Sequence, residues 1–208
     1  VGPARGPLAT GHEGPGRMEE PERILDEVRC LLHPVKDLRG RRILVTAGPT
    51  REPLDPVRFL TNRSSGKMGY ALARMARYRG AEVTLVSGPT YREPPAGVDV
   101  VAVETADQMR AACLERLPAV DAVIMAAAVA DFRPAAPAAS KIKKEQLKRE
   151  PLPGSKPPNE PPAQREREGA LALELVPTPD ILKALVERRR PGQVLVGFAA
   201  ETDDLEAF

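Results

Sequence analysis

The sequence predicts an α/β domain in which a doubly wound parallel sheet lies between two layers of helices. Two observations carry this prediction. Short, continuously apolar runs recur along the chain, and amphipathic segments with helical periodicity separate them. Strands that are apolar on both faces need helices on both sides, which is the habit of parallel sheets. Ligands of such a sheet bind outside the carboxyl ends of its strands.

Residues 1–16 are rich in Gly and Pro and show no periodic pattern. A helix is predicted over 19–32, with acids and Pro21 in its first turn and Ile24, Leu25, Val28, Leu31 and Leu32 at helical spacing. His33-Pro34 ends it, and 35–40 reads as a linker. Strands are predicted at 42–47, 82–87, 99–103, 121–127 and 193–198, and helices at 65–79, 105–117 and 178–189. Thr178 and Asp180 are the candidate caps of the last helix. The stretch 150–168 holds six prolines, several charges and almost no large apolar residues, and is expected to be a flexible insertion. Together these give a three-layer Rossmann-like sheet.

Composition narrows the function classes. Basic and acidic residues number 31 and 29, a net charge of +2, which offers no electrostatic footprint for nucleic acid or an anionic membrane. Aromatic content is 3% with no Trp, so base-stacking platforms are not expected either. No apolar run is long enough to span a bilayer. The first residues lack an initiator Met and the apolar core of a signal peptide, and read as the interior of a longer chain. Cys30 and Cys113 lie far apart in helix-like contexts, as buried thiols of a reducing cytoplasm would.

The chemistry concentrates in one region. The apolar strand at 42–46 runs into Gly48 and then a Pro-stiffened loop, which delivers Asn62, Ser64, Ser65 and Gly66 to the start of a helix. Small residues and free N–H groups there favour anions. A Walker A loop does not fit, because Met68 follows Gly66-Lys67 and Thr61 stands where the first Gly belongs. A dinucleotide fingerprint fits poorly: the turn has only Gly48, and the second strand ends in Ser87-Gly88-Pro89 rather than an acid. A nicotinamide-dependent reductase and a non-catalytic nucleotide-binding or assembly module remain alternatives.

Four motifs occur in a fixed order. They are residues 46–58 with Asn62-Arg63-Ser64-Ser65-Gly66-Lys67-Met68-Gly69; Ala126 through Pro134; Lys141-Ile142-Lys143-Lys144; and Val196 through Thr202. In this order they resemble the phosphopantothenate–cysteine ligase family of coenzyme A biosynthesis, over roughly 40–202. Residues 8–24 resemble the end of the flavin-dependent phosphopantothenoylcysteine decarboxylase that precedes this ligase in bifunctional enzymes, with Thr10 where that family often has a catalytic Cys. The implied organisation is a decarboxylase tail at 1–34, a linker at 35–40 and a C-terminally incomplete ligase domain at 41–208.

The resemblance implies a reaction in two halves. The carboxylate of 4′-phosphopantothenate attacks the α-phosphate of CTP, giving an acyl-cytidylate and pyrophosphate; the amine of L-cysteine then attacks the acyl carbon, releasing CMP. Mg²⁺ is the implied cofactor, with metal ligands unknown, and FMN would belong only to the decarboxylase half. The family assigns Gly48, Ser64, Gly66, Gly69, Asp131, Lys141 and Phe198 to the nucleotide. It assigns Asn62, Ala127, Ala128 and Asp131 to phosphopantothenate or its acyl-cytidylate. Asn62 would stabilise the oxyanion of the second half-reaction, Lys141 would neutralise triphosphate charge, and Arg58 would assist anion binding or a dimer contact. A homodimer through the ligase domain and a higher oligomer through the decarboxylase half are implied. Further lysines are expected beyond residue 208, so residues 1–208 alone are expected to be inactive or impaired.

Overall fold

In a computed structural model of the chain, residues 2–143 and 172–198 are described. The expected insertion at 150–168, Lys144 of the lysine run and residues 199–202 of the last motif lie outside the described residues. The elements in chain order are β1 (Ala4–Pro7), β2 (Glu13–Arg17), α1 (Pro21–Leu32), β3 (Arg42–Ala47), β4 (Arg51–Pro53), β5 (Phe59–Thr61), α2 (Lys67–Tyr78), β6 (Glu82–Ser87), β7 (Asp99–Ala102) and α3 (Ala106–Arg116). A short 3₁₀ turn at Leu117–Ala119 leads to β8 (Ala122–Met125), β9 (Phe132–Pro134), β10 (Leu175–Pro177), α4 (Ile181–Arg188) and β11 (Val194–Gly197).

The five predicted strands form one sheet, all parallel, in the order β11-β8-β3-β6-β7. The chain starts in the middle at β3, winds outward through β6 and β7, then crosses back to β8 and β11. The fold is thus the Rossmann-like α/β arrangement, and its direction of winding reverses between β3 and β8. In open α/β sheets ligands bind in the crevice outside the carboxyl ends of the strands near such a reversal.

Alternation along β3 divides the core. Ile43, Val45 and Ala47 pack with Tyr70, Ala73 and Ala76 of α2. Leu44 faces Met109, Ala112 and Cys113 of α3 and Ile181 and Leu185 of α4. Both cysteines are free and buried, as their contexts suggested, and burial pushes the Cys113 thiol up to about 12. Helix α3 begins with a capping box in which Thr105 Oγ1 accepts from Gln108 N and the Gln108 side chain accepts from Thr105 N. Asp180 caps α4, accepting from Lys183 N at 2.9 Å. Thr178 does something else: its hydroxyl donates to Ala130 O at 2.5 Å and joins the start of α4 to the segment after β8.

Several short elements had no sequence signal. The Gly/Pro-rich N-terminus forms the β1–β2 hairpin. The Pro-stiffened loop contains the β4–β5 hairpin, and β9 pairs with β10 across a long sequence separation. Strands of three residues are too short for a period of two to register. The expected linker at 35–40 is tied down: Asp37 pairs with Arg79 at 2.5 Å, Leu38 N donates to Arg79 O at 3.0 Å, and Lys36 Nζ donates to Tyr78 O at 2.8 Å.

Helix α1 docks on α2 through its polar side. Asp26 accepts from the Tyr78 hydroxyl and pairs with Arg74 at 3.0 Å, while Glu27 pairs with Arg77 at 2.7 Å. Burial, aided by the Asp26 hydrogen bond, pushes the Tyr78 phenol up to about 12. The periodic apolar side of α1 is largely exposed, with Leu31 and Leu32 each at 76%.

Gly69 fixes the distance between α2 and β3. A Cβ there would stand 2.5 Å from Ala47 Cβ and 2.7 Å from Thr46 O. Ala is the better helix former by about 1 kcal/mol, but the clash is with backbone that cannot step aside. Gly69→Ala should therefore destabilise by roughly 1–3 kcal/mol, read as a melting temperature lower by about 2–4 °C per kcal/mol; an unchanged or raised value would show that α2 can lift from the sheet.

A second prediction concerns acid. Asp121, just before β8, accepts from Arg42 N at 2.8 Å and pairs with Arg190 at 3.4 Å, and the Arg42 bond leads in holding its carboxyl below the usual range. A depressed carboxyl contributes stability that is present above its unfolded pKa of about 3.9 and lost as pH falls through the folded value. Asp121→Asn should lower stability at neutral pH and flatten the loss as pH falls from the usual carboxylate range through the lowered folded value, followed by circular dichroism; identical acid profiles would contradict this.

Candidate active site at the switch point

The site is assembled where the chain leaves β3 and β8. Ala128 N donates to Gly48 O at 2.9 Å, Thr50 N donates to Ala128 O at 3.3 Å, and Pro49 and Ala128 form a parallel bridge. Two buried threonines complete the lacing. Thr46 Oγ1 accepts from Ala127 N at 3.1 Å, and Thr50 Oγ1 accepts from Ala130 N at 2.9 Å. These bonds pair Gly48 O, Thr50 N, Ala127 N, both polar groups of Ala128 and Ala130 N. Thr46 and Thr50 were not picked out from sequence, since Thr in a strand is ordinary and only the neighbouring strand reveals its partner.

Asn62 joins this lacing. The β4–β5 hairpin returns the chain to the crevice, with Thr61 Oγ1 donating to Thr50 O at 2.7 Å. The Asn62 amide donates to Val129 O at 3.0 Å and Ala128 O at 3.4 Å. Of the residues assigned to the acyl substrate, Asn62, Ala127 and Ala128 are thus brought together. Asp131 is three residues beyond Ala128, exposed, with its carbonyl accepting from Thr178 N at 2.9 Å.

Beside Asn62 lies an open cleft of about 640 Å³. Its lining includes Asn62, Ser64 and Ser65 and three guanidinium residues, Arg51, Arg63 and Arg92, with no Asp or Glu among the lining residues. Such a wall favours anions. Arg51 lies over the Phe59 ring at 4.6 Å from its centroid, and Arg92 Nε donates to Ser65 O at 2.9 Å. The Arg92 bond ties the loop after β6 to the loop before α2. Arg51, Arg63 and Arg92 were missed because a lone surface Arg carries no pattern; only their convergence does.

The glycines act through backbone approach. Gly48 and Gly66 both have left-handed φ, +74° and +71°, and a Cβ on either would meet Thr90 Cγ2 within 3 Å. Gly66 is the N-cap of α2 and receives no side-chain cap, while Ser64 Oγ accepts from Gly66 N at 3.3 Å. Gly48 and Gly66 therefore shape the wall of the crevice, whereas Gly69 faces β3. A hydroxyl chain runs behind them, from Thr90 Oγ1 to the Tyr70 hydroxyl to Ser87 Oγ, each step 3.0 Å.

The remaining predicted residues lie apart from this lining. Phe198 follows β11 and is half exposed, at 53%. Lys141 is exposed on the segment after β9. Arg58 faces Asp55, with Nε and Nη2 donating to Oδ2 at 3.0 and 2.5 Å, and Nη2 also donates to Ile142 O at 2.7 Å. That guanidinium, first among the causes, holds the Asp55 carboxyl well below the usual carboxylate range. Another buried acid, Glu52, accepts from Ala106 N at 2.8 Å and places a carboxylate at the N-terminus of α3. Among the described residues no cluster of three His, Cys, Asp or Glu side chains is placed to hold a metal ion. No helix among them is long and apolar enough to cross a membrane.

Comparison with known proteins agrees with this architecture. The family model described as the DNA/pantothenate metabolism flavoprotein C-terminal domain matches residues 38–159 and 156–208. The coenzyme A biosynthesis bifunctional protein CoaBC of Mycobacterium tuberculosis is 46% identical over 212 residues, covering 97% of this chain and 46% of that protein. Its Bacillus subtilis counterpart is 44% identical over 211 residues, covering 100% of this chain and 46% of that protein. The chain thus spans about half the length of these relatives. A crystal structure of the C-terminal domain of a CoaBC protein superposes with a TM-score of 0.64 at 45% identity, covering 83% of this chain and 70% of that one. A family model that matches residues 38 to 208 leaves one assignment: the chain belongs to the DNA/pantothenate metabolism flavoprotein C-terminal domain family.

Proposed function

We propose that this domain is the CTP-dependent ligase that joins 4′-phosphopantothenate to L-cysteine in coenzyme A biosynthesis. The observation that carries the reading is the Asn62 amide held on the Ala128 and Val129 carbonyls at the switch point, beside a cleft walled by three arginines. Both half-reactions bring anions together and develop charge on phosphoryl and carbonyl oxygens. Preorganised cations and N–H donors meet that need better than a nucleophilic side chain. The family and the CoaBC relatives support a ligase over a nicotinamide-dependent reductase.

In this reading the arginines and the free N–H groups at the start of α2 hold anionic groups, and the exclusively Gly turns at 48 and 66 let ligand approach the backbone. The carboxylate of phosphopantothenate attacks the α-phosphate of CTP and expels pyrophosphate. Asn62 Nδ2 carries two hydrogens; the bond to Val129 O at 3.0 Å holds one, and the longer 3.4 Å contact with Ala128 O is the one exchanged for the acyl oxygen. As the cysteine amine attacks, that hydrogen bond strengthens on the developing oxyanion and CMP leaves. Lys141 neutralises phosphate charge, and Asp131 and Phe198 contribute to the nucleotide subsite. Mg²⁺ would be held chiefly by the nucleotide phosphates, where it would offset their charge.

Residues 1–34 are assigned to the end of a preceding FMN-dependent decarboxylase. The support is the exposed apolar side of α1, a surface built to pack on something other than α2. The ligase domain is proposed to act as a homodimer, in the cytoplasm.

Two measurements test the reading. Asn62→Asp should slow the second half-reaction by roughly 10²–10³, the effect of losing one oxyanion donor, so that acyl-cytidylate accumulates in the presence of cysteine and is seen by mass spectrometry; product formation at the unaltered rate would remove Asn62 from that role. Thermal-shift titrations with CTP, ATP and NADPH should show CTP-selective stabilisation. Stabilisation by NADPH would support the reductase, and no response to any of the three a non-catalytic module.

A further inference from the structure

Asp55 is 4% exposed, and its carboxylate gathers donors from two distant parts of the chain. Oδ1 accepts from Val57 N and Arg58 N, each at 2.8 Å. Oδ2 accepts from the Arg58 side chain at 3.0 and 2.5 Å and from Ile142 N at 3.1 Å. Arg58 Nη2 closes the circuit by donating to Ile142 O at 2.7 Å. Both backbone polar groups of Ile142 are therefore held by one ion pair on the β4–β5 hairpin. A further bond, Ala138 N to Leu54 O at 2.9 Å, anchors the same segment four residues earlier.

A buried carboxylate is costly unless fully hydrogen-bonded, and a hairpin turn alone needs only the bonds to residues 57 and 58. The bond to Ile142 crosses 87 residues of sequence and fixes the peptide plane between Lys141 and Ile142. We propose that Asp55, with Arg58, is a positioning residue that clips the 138–142 segment to the β4–β5 hairpin and so sets where the Lys141 ammonium meets the phosphates of the nucleotide. The inference rests on the ligase reading above for the role of Lys141. Arg58 then acts through this clip rather than by touching substrate.

The test is a double-mutant cycle on CTP affinity, measured by calorimetry on the whole chain. Lys141→Ala should weaken CTP roughly tenfold, the worth of one charge-assisted contact. Asp55→Asn should weaken it by about threefold to tenfold when Lys141 is present and by less than about twofold when Lys141 is already Ala, because a residue acting through Lys141 has nothing left to position. A merely structural role would cost the same in both backgrounds, and that additivity overturns the clip while leaving the ligase reading intact. If Lys141→Ala leaves CTP affinity unchanged, the role of Lys141 falls and the clip falls with it. Hydrogen exchange of the unmodified protein needs no variant to fold: the Ile142 amide should be protected, and exchange at the rate of an unstructured peptide overturns the proposal.

Discussion

The structure depends on how closely three backbones meet at the carboxyl end of β3. Gly69 lets α2 sit against Ala47, Gly66 brings the start of that helix against Gly48, and Gly88 passes so near Pro49 that a Cβ would stand 1.8 Å from its carbonyl oxygen. No side chain fits at any of these points. The loops after β3 and β6 and the start of α2 are consequently locked into one wall, and the crevice owes its shape to that wall. Elsewhere the fold is an ordinary layered packing of aliphatic side chains, in which volume-conserving changes are tolerated far better.

On that wall the polar groups fall into two classes. Thr46, Thr50 and Thr61 are consumed in lacing the loops together, and their hydroxyls make the crevice rigid. Arg51, Arg63 and Arg92 face the open cleft. Asn62 belongs to both: it is anchored on the Ala128 and Val129 carbonyls and yet lines the cleft. A group that must stabilise charge only in a transition state gains from being anchored in this way, because it does not have to reorganise as the charge appears. The Asp55–Arg58 pair extends the same economy one layer out, by holding the chain that carries a cation instead of supplying the cation to the cleft.

The central sheet was legible because its strands are four to six residues long, apolar on both faces and separated by periodic helices. Its strand and helix positions agree with expectation to within a few residues. The hairpins at 4–17 and 51–61 and the β9–β10 ribbon were not legible: their strands are short, rich in Gly and Pro or charged, and exist only because another segment lies alongside. Helix α1 was legible as a helix but not in its orientation. Its periodic leucines suggest the buried side, whereas the side that meets α2 carries Asp26, Glu27 and Cys30, matched to Arg74, Arg77 and Tyr78.

By itself the sequence determined the α/β class, the position of the glycine-turn loop between the first strand of the sheet and helix α2, and, through four motifs in order, the family. These are properties of residue order, periodicity and local backbone preference. Only the tertiary structure decided that Asn62 meets the chain after β8, that three unremarkable arginines share one cleft, and that Arg58 is engaged by Asp55 and Ile142. Those outcomes rest on contacts that sequence neighbours do not announce, such as the 67 positions from Asn62 to Val129 and the 87 from Asp55 to Ile142. A surface Arg has the same local signature whether it faces solvent, a carboxylate or a substrate, so its role is settled by the neighbour that folding supplies.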